Sequence, residues 1–267
     1  MDKPLILITN DDGIDSPGLV ALAAALDPLG DLLIVAPQFQ QSGAGRSMHS
    51  HYSGRILETT VSLNGKTWHA YAADASPALS VQHGYYELAP RVPSLVVSGI
   101  NFGENIGLSA GTISGTVGAA LEGAAKGVPS IAVSLEVDPA LHLDFDDSVD
   151  FSVAMHFARV FAEKLLAVER PDDVDVLKVD IPKQATVDST WRVTRLEKRP
   201  YYMTTPPQRE NGLQSEGKMG YQLNPDRHTS PDTDAGAMVE GVVSVTPLSL
   251  DMTSRVDLSM LESLLDD

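Results

Sequence analysis

The sequence contains no cysteine among its 267 residues. Disulfide bonds, thiolate zinc sites and a cysteine nucleophile are therefore excluded. Basic residues are also scarce, since 19 lysines and arginines stand against 36 aspartates and glutamates, for a formal net charge of −17. Such a surface repels polyanions, so we expect neither a nucleic acid polymer nor a membrane as a partner. Any phosphate site then needs local positive charge, most simply a metal ion.

Long apolar runs are absent as well. No stretch approaches the roughly 20 residues that span a bilayer, and the segment 1–4 lacks the layout of a signal peptide. We therefore expect a cytoplasmic protein. None of the seven histidines shows HExxH spacing, so a zinc hydrolase of that type is not expected. Hydrophobic residues make up 43% of the chain, which is enough for one large α/β domain.

Short β-branched runs alternate with helical segments up to about residue 181. Buried strands are predicted at 4–9, 32–37, 94–100, 130–135 and 175–181, and an Asn-Gly turn predicts a hairpin within 55–72. Helices are predicted at 17–26, 77–86, 116–126 and 149–168, with a Gly/Ser/Thr loop at 108–115. This alternation predicts a doubly wound, mostly parallel α/β sheet.

The pattern changes near residue 191. Two further strands, 192–196 and 241–246, flank a polar segment, 201–234, and a short helix is predicted at 257–265. The polar segment is too long for a plain loop in a compact domain, so we interpret it as a protruding arm or a lid.

Oxygen-bearing side chains follow three of the predicted strands. Asp11 and Asp12 come directly after the first strand, Ser42 lies in the loop after the second, and Asn101 follows the third. Because the carboxyl ends of parallel strands share one edge of a sheet, we expect these side chains to converge. Two carboxylates, a hydroxyl and an amide oxygen suit Mg²⁺ or Mn²⁺, with water and a substrate phosphate completing the coordination.

Each of these positions alone also fits a turn or a helix cap. The glycines at 43 and 45 and the segment 111–116 offer backbone amides to a phosphate, the latter at a helix N-terminus. Ser114 and Thr116 are equally suited to capping that helix. The arrangement of the whole set, rather than any one residue, indicates a site.

Taken together, the motifs resemble the SurE, or survival protein E, nucleotidase family. The matching segments run in family order: 8–13 (ITNDDG) with 17–18, 35–37 with 42–43, 98–101 (SGIN) with 103 and 105, 114–120 with 122–123, and 243–248 with 251 and 253. The resemblance covers nearly the whole chain. It implies a Rossmann-like sheet and a metal-dependent phosphomonoesterase acting on nucleoside 5′- and 3′-monophosphates and sometimes on short polyphosphate.

The resemblance implies the metal ligands, and the arrangement of the loops suggests the catalytic and phosphate-binding roles. Asp11, Asp12, Ser42 and Asn101 match the metal ligands, for one Mg²⁺ or Mn²⁺ ion per subunit. Catalytic roles fall to Asp11 and Asp12, with Asp11 favoured as the base for an attacking water, and to Asn10, which orients the turn or a phosphate oxygen. Phosphate contacts are assigned to glycine and hydroxyl positions of the matching loops: Gly43, Ser98, Gly99, Ser114, Gly115 and Thr116.

Family members form dimers or tetramers that exchange C-terminal arms, so we expect a homodimer or homotetramer. We treat 1–267 as a single domain, with a core over about 1–190 and an oligomerisation arm and tail over about 191–267 that include a β-hairpin. The expected substrates and partners are nucleoside monophosphates and other copies of the chain.

The sequence departs from the family pattern in two places. The segment 75–81 reads ASPALSV where the family has GTPADCV, so Leu79 and Ser80 replace Asp and Cys. Ile113 stands where tyrosine is common. These changes bear on substrate preference and base stacking and leave the metal ligands untouched.

Other side chains and other functions are alternatives to this interpretation. His49, His51 and His228 are candidates for roles near the site, and Arg46 for a phosphate contact, each against a plain surface role. A catalytically silent nucleotide-binding protein is the main alternative. A phosphoryl receiver is disfavoured because Asn101 stands where a phosphoacceptor aspartate is needed, and a dinucleotide oxidoreductase lacks its G-x-G-x-x-G turn.

Overall fold

The computed structural model describes residues 3–138, 149–226 and 229–266. Within these ranges the strands are β1 (Leu5–Thr9), β2 (Asp31–Pro37), β3 (Ile56–Leu63), β4 (Lys66–Ala73), β5 (Leu95–Phe102), β6 (Ser130–Leu135), β7 (Val176–Ile181), β8 (Trp191–Val193), β9 (Tyr202–Thr205), β10 (Gly220–Leu223) and β11 (Val243–Leu248). The helices are α1 (Pro17–Leu26), α2 (Pro77–His83), α3 (Gly107–Ile113), α4 (Gly115–Ala125), α5 (Ser152–Ala167), α6 (Asp234–Val239) and α7 (Leu258–Leu265).

Nine of these strands form one sheet in the order β3-β4-β2-β1-β5-β6-β7-β11-β8. The run from β4 to β7 is parallel, whereas β3 and β11 pair antiparallel with β4 and β7. The strands β2, β4 and β3 are added on one side of β1, and the strands β5, β6 and β7 are added on its other side. The predicted doubly wound, mostly parallel α/β sheet is thus confirmed, and its switch point lies between β1 and β5, where ligands of such folds bind.

Both faces of the central strands are buried. On β1, Ile6 and Ile8 belong to a core that includes residues of α1 and α5, whereas Leu5 and Leu7 pack in a second core with α2 and α4. Side chains of a strand alternate between the two faces, so a strand covered on both sides is mostly apolar at successive positions. This explains why the strand sequences read as continuous apolar runs.

The segment 108–115 was predicted as a loop, and this prediction is wrong because α3 occupies most of it. The helix begins at Gly107, whose φ of 75° suits glycine. The Gly107 amide donates to Asp234 Oδ2 at 2.9 Å, and the Leu108 amide donates to the Glu197 carbonyl at 3.0 Å. These contacts come from the C-terminal part of the chain, so local composition does not reveal them.

The C-terminal region is divided between the main sheet and an extension. Strands β8 and β11 complete the sheet edge, while β9 and β10 pair antiparallel as a separate two-stranded hairpin. Tyr201 beside this hairpin packs against Ile106 and the α6 residues Ala235 and Met238. A C-terminal hairpin is therefore present, as expected. In the described residues, no helix has the length and apolar character required to cross a membrane.

Close packing of α4 on the sheet gives a test of the fold. A Cβ at Gly123 would lie 2.7 Å from both the Val96 Cβ and the Ser130 Oγ. We expect Gly123→Ala to lower the free energy of unfolding by about 1–3 kcal/mol, as overpacking does. Gly111→Ala in α3 is the matched control, since its Cβ would meet Leu196 Cδ1 at an ordinary 3.5 Å. Urea unfolding measures both variants, and equal effects would contradict the close packing of α4.

Candidate active site

The turn after β1 is held by the side chain of Asn10. Its Nδ2 donates to the Gly13 carbonyl at 3.0 Å, and the Gly13 amide donates back to Asn10 Oδ1 at 3.2 Å. Gly13 has a φ of 99°, and a Cβ there would lie 3.1 Å from the Phe39 carbonyl carbon. The reciprocal pair therefore fixes the turn that carries Asp11 and Asp12, one of the two roles expected for Asn10.

Asp11 lies against the N-terminus of α4. Its side chain is buried, with 5% of the residue exposed, and its Oδ1 accepts a hydrogen bond from Thr116 Oγ1. The backbone amides of Gly115 and Thr116 also bind this carboxylate, where the helix dipole favours a negative charge. Burial raises the pKa of Asp11, and the bonds from Thr116 and Gly115 oppose that rise. The amides assigned to phosphate by sequence are thus used by the protein's own carboxylate.

Asp12 is equally buried, at 3% exposed, but is bound less tightly. Its Oδ2 accepts from the Phe102 amide at 3.2 Å, and its Oδ1 accepts from Gln40 Nε2 at 3.5 Å. Burial and then the charge of Asp11 raise the pKa of Asp12 to about 8. Two adjacent carboxylates thus share a site where ionising both is costly.

The Asn101 end of β5 lies beside this pair. Asn101 Nδ2 donates to the Gly103 carbonyl at 2.7 Å, which leaves the amide oxygen as the atom that a cation would use. The next residue, Phe102, supplies the amide that binds Asp12. Strands β1 and β5 therefore bring the two aspartates and Asn101 to the same edge of the sheet.

The loop after β2 approaches the same edge. The Gln41 amide donates to the Asp11 carbonyl at 2.7 Å, so the exposed Ser42 is one residue away from a direct contact with Asp11. Further along the loop, the Gly45 amide donates to the Ile113 carbonyl at 2.9 Å. Exposed Gly43, at a φ of 78°, lies between these two anchors. The three loops that carry the predicted metal ligands thus approach one another at the switch point.

Glu122 of α4 holds the loop after β2 through Arg46, a role that the sequence did not reveal. It is 1% exposed and accepts from Arg46 Nε at 2.8 Å, Gln82 Nε2 at 2.9 Å and Lys126 Nζ at 3.0 Å. Burial raises the pKa of Glu122, but the three hydrogen bonds outweigh it and leave the pKa below its usual range. Arg46, a candidate for a phosphate contact or a plain surface role, thus forms an ion pair with Glu122 through Nε, and a phosphate contact stays a prediction.

Several of the predicted phosphate contacts are buried in the strand β5 or cap the helix α4. Ser98 and Gly99 lie buried inside β5, and a Cβ at Gly99 would lie 2.3 Å from the Val133 carbonyl oxygen. Among the residues that the structure describes, the Ser98 hydroxyl has no hydrogen-bond partner. Ser114 accepts from the Val117 amide at 3.1 Å as the cap of α4. Phosphate binding by these residues stays a prediction.

The remaining candidates lie at the surface. His49 and His51 are exposed, with their Nδ1 atoms 2.5 Å apart. Ile113, at the tyrosine position of the family, is 58% exposed, and His228 lies outside the described residues. Over the described ranges, no three His, Cys, Asp or Glu side chains converge as metal ligands. A metal at this edge would therefore depend on hydroxyl, amide and water oxygens in addition to the two aspartates.

Fold and site together define an α/β protein of the Rossmann-like kind with a buried carboxylate pair at its switch point. A family model described as Survival protein SurE matches residues 6–203. The chain belongs to the SurE family.

Similar proteins match over almost their entire length. A protein of Thermococcus gammatolerans named 5′-nucleotidase SurE is 41% identical, covering 97% of this chain and 95% of the relative. One of Archaeoglobus fulgidus with the same name is 39% identical, covering 98% and 97%. The crystal structure of the SurE protein from Aquifex aeolicus superposes with a TM-score of 0.73 at 32% identity, covering 99% of this chain and 100% of that one.

The depressed pKa of Glu122 predicts a pH-dependent contribution to stability. Because the folded-state pKa lies below the unfolded value of 4.5, the contribution is present above pH 4.5 and is lost as the pH falls through the folded pKa. We expect Glu122→Gln to cost about 2 kcal/mol at pH 7, less than a fully buried pair because Arg46 is 40% exposed.

Urea unfolding of wild type and Glu122→Gln at pH 7 and at lower pH measures this difference. The difference in the free energy of unfolding between the two proteins should decrease below pH 4.5. Glu163→Gln is the control, since Glu163 is exposed and its nearest cation, Arg159, is 3.9 Å away. A gap that stays constant across this pH range would contradict the assignment.

Proposed function

We propose that this protein is a divalent-metal-dependent phosphomonoesterase that hydrolyses nucleoside 5′- and 3′-monophosphates, and also short polyphosphate. The observation that carries the proposal is the pair of buried carboxylates, Asp11 and Asp12, at the switch point of a doubly wound sheet. The names of the curated relatives, 5′-nucleotidase SurE, support the nucleotide substrate.

The residues at this edge suit one Mg²⁺ or Mn²⁺ ion. Asp11, Asp12, Ser42 and Asn101 would hold it, and all four offer oxygen atoms, which hard cations prefer. Two carboxylates 4 Å apart repel by about 4 kcal/mol at an effective dielectric of about 20. The raised pKa of Asp12 reflects this cost together with burial, and a cation would offset it. When bound, the ion would neutralise phosphate charge and lower the pKa of bound water.

The two aspartates differ in what their contacts permit. Asp11 is fixed by Thr116 Oγ1 and by the first amides of α4, so its carboxyl group stays oriented. Asp12 has hydrogen bonds of 3.2 and 3.5 Å. Sequence reasoning favoured Asp11 as general base, whereas these contacts favour Asp12 for accepting the proton of the attacking water.

Substrate phosphate would meet the exposed side of this edge. Gly43 is the one glycine among the assigned contacts that is exposed, and no atom lies within 4 Å of the position of an added Cβ. Its backbone amide is part of the loop tied to Asp11 through Gln41. We therefore assign the 42–43 loop as the first phosphate contact, with Ser98 and Gly99 supporting the strand beneath.

The central test replaces each aspartate with asparagine. Asp11→Asn and Asp12→Asn should each reduce phosphate release from AMP more than tenfold, a loss above about 1.4 kcal/mol of barrier. Each assay starts from EDTA-treated protein with Mg²⁺ or Mn²⁺ restored, and uses 5′-AMP, 3′-AMP and tripolyphosphate. Asp31→Asn is the control, since Asp31 begins β2 at the amino ends of the strands, away from the candidate site, and pairs there with Arg91.

The outcomes separate the candidate functions. A loss below tenfold in both variants would refute the central role of the pair. Nucleotide binding without turnover, with every metal tried, would favour the catalytically silent alternative. Turnover unaffected by EDTA would overturn the metal requirement.

We further propose that the chain forms a homodimer or homotetramer through its C-terminal region. Support comes from α7, whose residues are all exposed although four leucines lie on it. Leu264 and Leu265 are 63% and 77% exposed, and the β9–β10 hairpin also exposes Met203 and Tyr221. Apolar surface of this extent is typical of interaction sites.

Light scattering after gel filtration tests the assembly. Wild type should elute at two or four times 28.5 kDa, and Leu264→Glu should shift the protein towards the monomer because it places a charge on the apolar helix face. Val92→Glu is the control, since Val92 is also exposed but lies in the loop before β5. A monomeric wild type would refute the proposal.

A further inference from the structure

A fully buried cluster of charges lies next to the candidate site. Lys178 and Asp180 of β7 and Asp234 of α6 have no exposed surface. Lys178 Nζ donates to Asp180 Oδ2, to Asp234 Oδ2 at 3.1 Å and to the Asn105 carbonyl at 2.7 Å. These contacts use all three protons of the ammonium group. The cluster therefore meets the condition under which charges are tolerated in a core.

The cluster holds one end of the segment 101–107, here called the Asn101 loop. The Asn105 amide donates to Asp180 Oδ1 at 2.8 Å, and its Nδ2 donates to Ser134 Oγ at 2.9 Å. The Gly107 amide donates to Asp234 Oδ2 at 2.9 Å. Backbone groups at positions 105 and 107 are thus bound directly by buried charged side chains.

The other end of the Asn101 loop belongs to the candidate site. Asn101 Nδ2 binds the Gly103 carbonyl at 2.7 Å, and the Phe102 amide binds Asp12 Oδ2 at 3.2 Å. Asn101 and Phe102 are separated from Asn105 by no more than three residues of the chain. A shift of the loop at its cluster end would therefore displace Asn101 and the Phe102 amide, which contacts Asp12.

Asp234 is suited to its place only as a carboxylate. Its Oδ2 accepts from Gly107 and Lys178, and its Oδ1 accepts from the amides of Glu197 at 2.8 Å and Ala235 at 2.9 Å. All four partners are donors. An asparagine in either orientation would turn its own NH₂ group towards two of them.

We propose that Asp234 is a positioning residue for the active site, which acts through Lys178 and the Asn101 loop to set the position of Asn101 and of the Phe102 amide that binds Asp12. The inference rests on the proposed function, because its consequence is the affinity of the site for the metal. It also assigns a role to α6: this C-terminal helix completes the support of a ligand loop that precedes it by more than 120 residues. Groups that orient metal ligands indirectly typically change metal affinity 10–100-fold.

The test is Asp234→Asn in the full-length protein, with two readouts that do not depend on turnover. Mn²⁺ affinity, measured by electron paramagnetic resonance, should weaken about tenfold or more. Hydrogen exchange of the amides in 102–107 should accelerate in the metal-free protein. An asparagine turns its NH₂ group either towards the Gly107 amide or towards the amides of Glu197 and Ala235, and both orientations weaken the attachment of the loop to α6. Asp27→Asn is the matched control, since Asp27 accepts from Lys66 and from Trp68 Nε1 at 2.8 Å at the opposite edge of the sheet.

A purely structural role would lower the Tm of Asp234→Asn and leave the Mn²⁺ affinity of the folded protein unchanged, which would overturn the inference alone. If this variant does not fold, Ser134→Ala replaces it, because only the acceptor of Asn105 Nδ2 is removed. That variant should weaken Mn²⁺ binding about fivefold, as the loss of one hydrogen bond does. Unchanged binding there would also overturn the inference. Wild type that neither binds Mn²⁺ nor hydrolyses nucleotides would instead reject the proposed function itself.

Discussion

The contact between the Asp11 carboxylate and the N-terminus of α4 is the interaction on which the site depends. The carboxylate neutralises the positive end of the helix and takes up the amides of Gly115 and Thr116, which have no partner within the helix. In return, the helix keeps Asp11 oriented although it is buried beside Asp12. A Cβ at Gly115 would lie 2.6 Å from the Asp11 Cβ, so glycine is required for this approach. Strand β1 and helix α4 are thereby joined at the switch point.

The other loops are arranged around this contact. Gly118 allows the loop after β2 to reach α4, since a Cβ there would lie 2.4 Å from the Gly45 carbonyl oxygen. Glu122, one turn further along the helix, holds the same loop through Arg46. On the opposite side, Lys178 and its two aspartates support the loop that presents Asn101. Of the candidate ligands, Ser42 is exposed and Asp12 has hydrogen bonds of 3.2 and 3.5 Å, whereas Asp11 is buried and firmly held. The charged groups that support the surrounding loops, Glu122 and Lys178, are buried and paired.

Much of the fold was predictable from local patterns. The strands from β1 to β7 and the helices α1, α4 and α5 follow from apolar runs, proline and serine at helix starts and glycine at the ends. The helix α3 was not predictable, because Asp234 and Glu197 hold its first turn from distant parts of the chain. The same reason hid Glu122 and Lys178, since a single charged residue in a helix or strand reads as a solvated position until its partners are known.

By itself, the sequence determined the doubly wound sheet, the order of its motifs and the convergence of Asp11, Asp12, Ser42 and Asn101 on one edge, because parallel strands necessarily bring their carboxyl ends together. Tertiary structure alone decided how the polar groups are paired. It assigned the first amides of α4 to Asp11 and turned Arg46 towards Glu122. Such pairings depend on distances between residues far apart in the chain, and burial makes each of them obligatory, since an unpaired buried charge is too costly to keep.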